Sequence, residues 1–448
     1  MMNAKDNQLV TEVGPGTGCG NVLRQYWQPA ALTEELVDDR PLKSITLLGE
    51  ELIIYKTEKG EYGLIGRFCP HRGADLRFGR LENGGIRCPF HGWLFNEKGS
   101  CLEQPAEPSK SKFHLKIRHV SYPCRERNGV IFAYLGEGAP PPFPSFDCFS
   151  APEDYAFAFK GFVDCNWLQF NEVGIDPAHA SFLHRFFDDG TDDESYGQQF
   201  RFSTEENAMA ITQVLRDYDC PELSHERTTT GLRIFALRHL NEKETHVRVT
   251  NLIFPNAIVL PLSNDIALTQ WHVPIDDTRS WWYGIFTNLY NPVDKKRMRD
   301  DRLTLYTLPD YLPRMNKTND YGYNPEEQKT KTYTGMGQDI NVHDQWAVES
   351  LGSIQDRTRE HLGASDKIII ESRKLLLKAI KDNMNGKKPA ISAWPINSLH
   401  QSGPVTIDTV VPSETWNISW KKTAEARRKK SCWAQDISVE HMTELAEN

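Results

Sequence analysis

The chain has 448 residues, of which 39% are hydrophobic and 25% charged, the balance of a globular protein with room for two or three domains. Its formal charge of −9 comes from 52 basic and 61 acidic residues, so no domain carries the basic field that a nucleic-acid binder needs. The opening MMNAKDNQLVTEVG has no apolar signal core, no apolar run reaches about 18 residues, and nine scattered Cys suit reduced thiols; together these predict a cytoplasmic protein with neither a membrane nor a nucleic-acid partner.

Residues 1–43 read as an N-terminal segment. Its GPGTGCGN is glycine-rich but lacks the GK[ST] ending of a phosphate loop, and no strand precedes it. It reads as coil before the helix-like NVLRQYW. Residues 44–138 read as a small all-β domain. β-branched and aromatic residues alternate between Gly and Lys-Gly turns, and Asn128-Gly129 marks a hairpin. This domain carries CPHRG and CPFHG, so that Cys69, His71, Cys88 and His91 stand as C-x-H-x16-C-x2-H. Two thiolates and two imidazoles can hold a [2Fe–2S] cluster of Rieske type, both Cys on one iron and both His on the other. A structural zinc site would place its Cys together and its His together, whereas here each pair is one Cys and one His.

Residues 139–146, APPPFPSF, form a linker, because consecutive Pro cannot continue a strand ladder and favour a stiff extended chain. Residues 147–395 form the next domain. Within it, Asp176, His179 and His184 form D-x2-H-x4-H. Asp176 and His179 share a helical face at i, i+3. The five-residue step to His184 turns about 500°, so both imidazoles converge on one metal only if the helix breaks between them. Two His and one carboxylate on one face of an Fe(II) leave positions open for O2 and substrate. An upstream electron carrier favours this reading over two structural His, because delivered electrons need a destination.

Residues 200–290 read as an antiparallel sheet containing Arg201, Arg233, Arg238 and Arg248. Residues 291–335 are polar, basic and turn-rich, and read as irregular. Residues 336–385 read as helical, with Ser365-Asp366 capping the last helix. This region is expected to supply the third iron ligand. Asp344, at a predicted helix start, is favoured over Asp356, which has Arg357 and Arg359 beside it for surface ion pairs. Residues 396–448 read as a C-terminal tail whose KKTAEARRKKS is a solvated basic face or, less readily, a docking patch for an acidic redox partner.

CPHRG…CPFHGW together with NEVGIDPAHASFLH resembles the Rieske non-haem iron ring-hydroxylating oxygenases, in particular the phthalate dioxygenase-like group. The resemblance covers roughly residues 10–395 and implies an α+β chain: the Rieske domain, then a helix-grip catalytic domain with an antiparallel sheet around a long helix. It implies iron ligands His179, His184 and Asp344, and Asn171 near the iron. It implies a head-to-tail α3 homotrimer in which Asp176 bridges His179 of its own chain and His91 of the partner subunit. A separate flavin/iron–sulfur reductase would supply electrons from NAD(P)H. The expected reaction is cis-dihydroxylation of an aromatic carboxylate of phthalate or benzoate type, bound by one or more of the four sheet Arg. The alternatives are a monooxygenase or O-/N-demethylase on the same scaffold and, less readily, an electron carrier without catalysis, which would need only one small domain.

Overall fold

The computed structural model describes residues 2–37, 39–187, 203–204, 207–387, 391 and 403–435, the six at 203–204 and 207–210 by backbone alone. The first domain is built from three small antiparallel sheets. One runs through Leu42–Leu47, Glu50–Lys56, Tyr62–Gly66 and Ser121–Tyr122. A second runs through Arg80–Glu82, Gly85–Arg87, Leu94–Asn96 and Cys101–Glu103. The third places Trp27–Leu32 against Val130–Tyr134 and that strand against Cys124–Arg127. The hairpin at Asn128-Gly129 forms, with φ of +45° and +86°, the two left-handed residues a tight primed turn requires. Ile53, Tyr55, Ile65, Ile86, Trp93 and Phe95 close a core of their own, which makes a rigid platform for the two cysteine loops.

The glycine-rich N-terminal run forms a turn, and Thr17 then caps a short helix, Gly18–Leu23, by accepting the Gly20 N–H. The chain from Pro140 to Phe146 has neither helix nor strand, as its prolines dictate. It is not loose, because Phe143 packs edge-on against Trp27 and Phe132.

An eight-stranded antiparallel sheet carries the second domain. Its order from one edge is Ala156–Val163, Ser280–Asn288, Ile266–Pro274, Ala257–Pro261, Glu244–Ile253, Gly231–His239 and Glu222–Arg227. The eighth strand, Ile407–Pro412, pairs with Glu244–Ile253. The long helix Lys367–Met384 buries Ile368, Leu376 and Ile380, and packs against helix Gly18–Leu23 and strand Glu222–Arg227. The shorter helices Trp167–Gly174 and Ile340–Ser350 pack on each other and bring two distant stretches of sequence to one place.

Two stretches differ from the sequence reading. NPVDKKRMRDDR is not irregular: Lys295–Leu305 is an eleven-residue helix, started by Asp294 accepting the Arg297 N–H. Its mean composition is charged all round, which hides a helix from any periodicity argument. One residue of it, Arg302, is buried and paired with Asp339. The basic run near the C-terminus is not a wholly solvated face either. It lies on helix Trp416–Lys430, whose Trp420 and Ala424 cover the sheet with Phe235, Val247 and Ile407. Arg427 and Arg428 are buried there, and Arg428 holds both carboxylate oxygens of Asp147. No helix among the described residues is long and apolar enough to cross a membrane.

Candidate metal centres and the active-site cavity

The two cysteine loops share one backbone plan. The Cys69 N–H donates to Ala74 C=O, and Cys69 C=O accepts from Gly73. The Cys88 N–H donates to Trp93 C=O, and Cys88 C=O accepts from Gly92. Gly73 and Gly92 take φ of +76° and +73°, the left-handed region that closes such a turn without a Cβ penalty. The loops differ only in where the imidazole hangs, two residues after Cys69 and three after Cys88. The rings of His71 and His91 nevertheless meet, with centroids 4.4 Å apart, and His71 stacks on Trp93 at 4.4 Å and 10°.

Cys69 and Cys88 are both buried. Burial, with Cys88 next door, pushes the Cys69 thiol up to about 12. A thiol this costly to ionise alone is what a bound cation converts to a thiolate. The Nδ1 of His91 is buried without a hydrogen-bond partner in its own chain. Two buried thiols and two facing imidazoles fit a Rieske [2Fe–2S] cluster.

The second centre forms where helix Trp167–Gly174 ends. His179 sits at the N-cap of a single turn, Ala180–Leu183, and His184 at its C-cap. The helix is therefore broken at both ligands, which is how a five-residue step brings both rings together. Their Nε2 atoms stand 3.2 Å apart. Asp344, on helix Ile340–Ser350, brings Oδ1 to 3.6 Å from His179 Nε2 and 3.2 Å from His184 Nε2. The Oδ1 atom is buried with no hydrogen-bond partner. The ligand atoms of these three all lie within 4.8 Å of one another, close enough to hold one metal ion. Ligands at about 2.1 Å and right angles stand roughly 3 Å apart, so the triangle has the size of one face of an octahedral iron site. Burial disfavours the charged form of Asp344, but His184 and His179 outweigh it and hold the carboxyl below its usual range.

Asp176 lies just before this turn. Its Oδ1 accepts the Ala178 N–H at 2.8 Å, and its Oδ2 stands 3.7 Å from His179 Nδ1. His179 outweighs the burial cost and keeps Asp176 below its usual carboxylate range. Asn171 is buried on the helix before it, and its Oδ1 has no partner. Asp356 is remote from the triad: it accepts from the N–H and hydroxyl of its neighbour Thr358 on an exposed turn.

The triad opens onto a cavity walled mainly by apolar side chains, among them Ile175, Leu215, Leu260, Leu262 and Leu268. Of the four sheet arginines, Arg248 lines it. Arg233 is buried elsewhere, paired with Glu226 and lying over Trp420. Arg238 is buried behind the cavity wall, where it donates to Tyr218 C=O, Pro177 C=O and Ser181 Oγ. It thereby braces the Asp176–His179 segment from below. Arg201 lies outside the described residues.

Sequence reasoning missed three residues here. His343, Asp408 and Arg238 in its bracing role reach the site through hydrogen bonds to other residues. The position of His343 beside Asp344 was the single available signal.

Comparison with known proteins agrees with this geometry. Residues 26–120 match the Rieske [2Fe-2S] domain model, and residues 133–441 match the model described as LigXa C-terminal domain like. The chain is 32% identical over 398 residues to the phthalate 4,5-dioxygenase oxygenase subunit of Pseudomonas putida, covering 85% of this chain and 86% of that one. It is 32% identical to the tert-butanol monooxygenase / tert-amyl alcohol desaturase oxygenase subunit of Aquincola tertiaricarbonis, over 86% and 78% of the two chains. It is 29% identical to the 5,5'-dehydrodivanillate O-demethylase oxygenase subunit of a Sphingobium strain, over 90% and 88%. The fold matches the solved structure of the Pseudomonas putida CBB5 NdmA QL mutant with theobromine, with a TM-score of 0.57 at 19% identity, over 88% of this chain and 99% of that one. The chain belongs to the Rieske non-haem iron oxygenases: an oxygenase with a [2Fe–2S] domain followed by a LigXa-type catalytic domain that uses a mononuclear iron.

Proposed function

We propose that this oxygenase hydroxylates an aromatic carboxylate, by cis-dihydroxylation, with O2 and with electrons from a separate NAD(P)H-dependent reductase. The observation that carries the substrate class is Arg248, a guanidinium set into a mainly apolar wall that opens on the His179–His184–Asp344 triad. A flat apolar ring fills such a cavity, and a carboxylate on it finds the arginine. The names of relatives support the class, since phthalate and 3-chlorobenzoate dioxygenases are among them. The O-demethylase relatives, at 29% and 34% identity, support a second reading on the same scaffold, demethylation of an aromatic acid.

Cys69, His71, Cys88 and His91 hold the cluster, and His179, His184 and Asp344 hold the iron. When bound, these groups supply one-electron transfer and O2 activation. The protein's own residues do the rest. Arg248 orients the ring, the apolar wall excludes water, and Asn171 adds a buried polar group on the helix that leads into the iron loop.

Electrons pass between copies in a head-to-tail homotrimer, with Asp176 between His179 and His91 of the partner subunit. Two surface features support this. Apolar side chains crowd the cluster end, with Phe78, Phe90 and Leu115 at 61%, 56% and 71% exposure. A second exposed apolar set, Phe182, Phe187 and Tyr333, flanks the iron triad. Exposed apolar patches of this kind mark interaction surfaces.

The test is NADH and O2 consumption by the iron-reconstituted protein with a generic reductase, against aromatic acids, neutral aromatics, and methoxy and N-methyl compounds. A product heavier by two oxygens and two hydrogens from an acid supports the reading. Loss of a methyl group supports the demethylase, and turnover of neutral aromatics alone overturns the carboxylate assignment.

A further inference from the structure

Four polar side chains form a row on the inner face of the catalytic sheet. Arg238 on strand Gly231–His239 is the cross-strand partner of His246 on strand Glu244–Ile253. Two residues on, Arg248 is the cross-strand partner of Asp408 on the C-terminal strand Ile407–Pro412. Cross-strand partners, and residues two apart on a strand, share a face, so all four lie together. Arg238, His246 and Asp408 are each 0–1% exposed, and Arg248 alone reaches the cavity.

Asp408 is the hub. One of its oxygens takes His246 Nε2 and the other takes Arg248 Nη1. Arg248 Nη2 is fixed by Pro261 C=O at 2.9 Å. The guanidinium is thus clamped from two sides. Its Nε–H and the second hydrogens of Nη1 and Nη2 are not spent in those bonds. His246 Nδ1 is buried without a hydrogen-bond partner. Asp408 is also the carboxylate that acts on Arg238 from a distance, and Arg238 Nη1 has no partner. Arg427 approaches from the helix on the outer face and donates to the backbone carbonyl of Asp408.

Among the described residues, two inner-face guanidiniums therefore share one carboxylate. The row carries one uncompensated positive charge in a place where burial makes any excess costly. Asp176 and Asp344, which also line the cavity, carry two negative charges, which the two positive charges of a ferrous ion would match.

We propose that this row is an anion subsite whose excess charge Asp408 holds at one, so that the cavity selects an aromatic ring with a single carboxylate over a dicarboxylate or a neutral ring. The proposal rests on the reading of Arg248 as the carboxylate anchor. A monoanion neutralises the row, whereas a second carboxylate finds no further guanidinium or ammonium among the described lining residues. The C-terminal strand is then a specificity element, contributed from 160 residues away in sequence.

The test is the binding of benzoate, phthalate and benzamide to the full-length, iron-reconstituted protein without O2, by calorimetry. The wild type is expected to bind benzoate most tightly. Asp408→Asn keeps the shape and removes the charge, and is expected to raise the affinity for phthalate relative to benzoate by roughly tenfold. Arg248→Gln is expected to erase the advantage of benzoate over benzamide. A wild type that prefers phthalate overturns the charge count and leaves the carboxylate reading standing. A wild type that prefers benzamide, or binds none of the three, overturns that reading itself. An unchanged phthalate-to-benzoate ratio in folded Asp408→Asn overturns the role of Asp408. Should that variant not fold, the wild-type order of the three ligands decides.

Discussion

His184 and His343 meet through their Nδ1 atoms, 3.4 Å apart, with the two rings within 19° of parallel. The other nitrogen of His343, Nε2, donates to Gly337 C=O at 2.9 Å. That bond fixes the tautomer, because a carbonyl only accepts. Nδ1 of His343 is then a bare acceptor, His184 donates to it from Nδ1–H, and His184 Nε2 keeps its lone pair for the triad. Burial, with His184 beside it, holds the His343 ring neutral, its pKa brought down to about 4. The first prediction follows from this chain of bonds. His343→Ala weakens iron retention by roughly 10- to 100-fold, the usual cost of removing such an outer partner. Competition with a chelator measures it, and wild-type retention in the variant would show that the bond carries nothing.

Asp344→Ala is expected to lower iron content by one ion per chain while leaving the visible spectrum of the cluster intact. Asp356→Ala is expected to change neither, since Asp356 only caps an exposed turn. The reverse result would place the third ligand wrongly.

Asp176→Asn tests the proposed bridge separately from the centres it would join. The cluster spectrum and iron content are expected to stay, and NADH-coupled turnover to fall by two orders of magnitude or more, on the order of what loss of a positioned orienting carboxylate costs. Full turnover in this variant would remove the bridge.

Stability at low pH is set in part by Glu172. It is buried, and Arg357 and Arg373 both donate to its carboxylate. Burial alone would raise its pKa, but Arg357 and Arg373 outweigh it and bring the folded value below the usual one. A depressed carboxyl contributes stability above its unfolded value of about 4.3, and that contribution is lost as pH falls through the folded value. Glu172→Gln is expected to lower the unfolding free energy by about 3–5 kcal/mol near neutral pH, because it leaves the buried Arg357 guanidinium without a carboxylate, while Arg373 keeps Glu360. Urea titrations at pH 7 and pH 4 measure it, and the gap between variant and wild type should narrow at the lower pH. Because Glu172 sits four residues before Asp176, loss of iron in this variant would come through the helix rather than the ligands.

The chemistry of both centres was legible because their ligands are clustered in sequence and chemically unusual. C-x-H-x16-C-x2-H leaves few alternatives to an iron–sulfur cluster. The step of five between His179 and His184 announced a broken helix, and the single turn Ala180–Leu183 is that break. Asp344 could be preferred to Asp356 because arginines beside a carboxylate suit a surface role. The helix Lys295–Leu305 stayed hidden, since a segment that is charged on every face gives no hydrophobic period to read.

The sequence by itself pointed to the two cysteine–histidine pairs, the Asp176–His184 segment, the all-β first domain and the family resemblance, because each depends on residues held close along the chain, whereas folding alone brought Asp344 to His179 and His184. Tertiary structure alone decided which arginine reaches the cavity. Arg233, Arg238 and Arg248 look alike on two neighbouring strands, and their fates depend on the partners folding brings to them: Glu226 for the first, Pro177 for the second, Asp408 for the third. It alone brought the C-terminal strand under the active site and placed His343 behind His184. Such contacts join positions up to 160 residues apart. Each is fixed by strand register and helix packing, which no local pattern in the chain records.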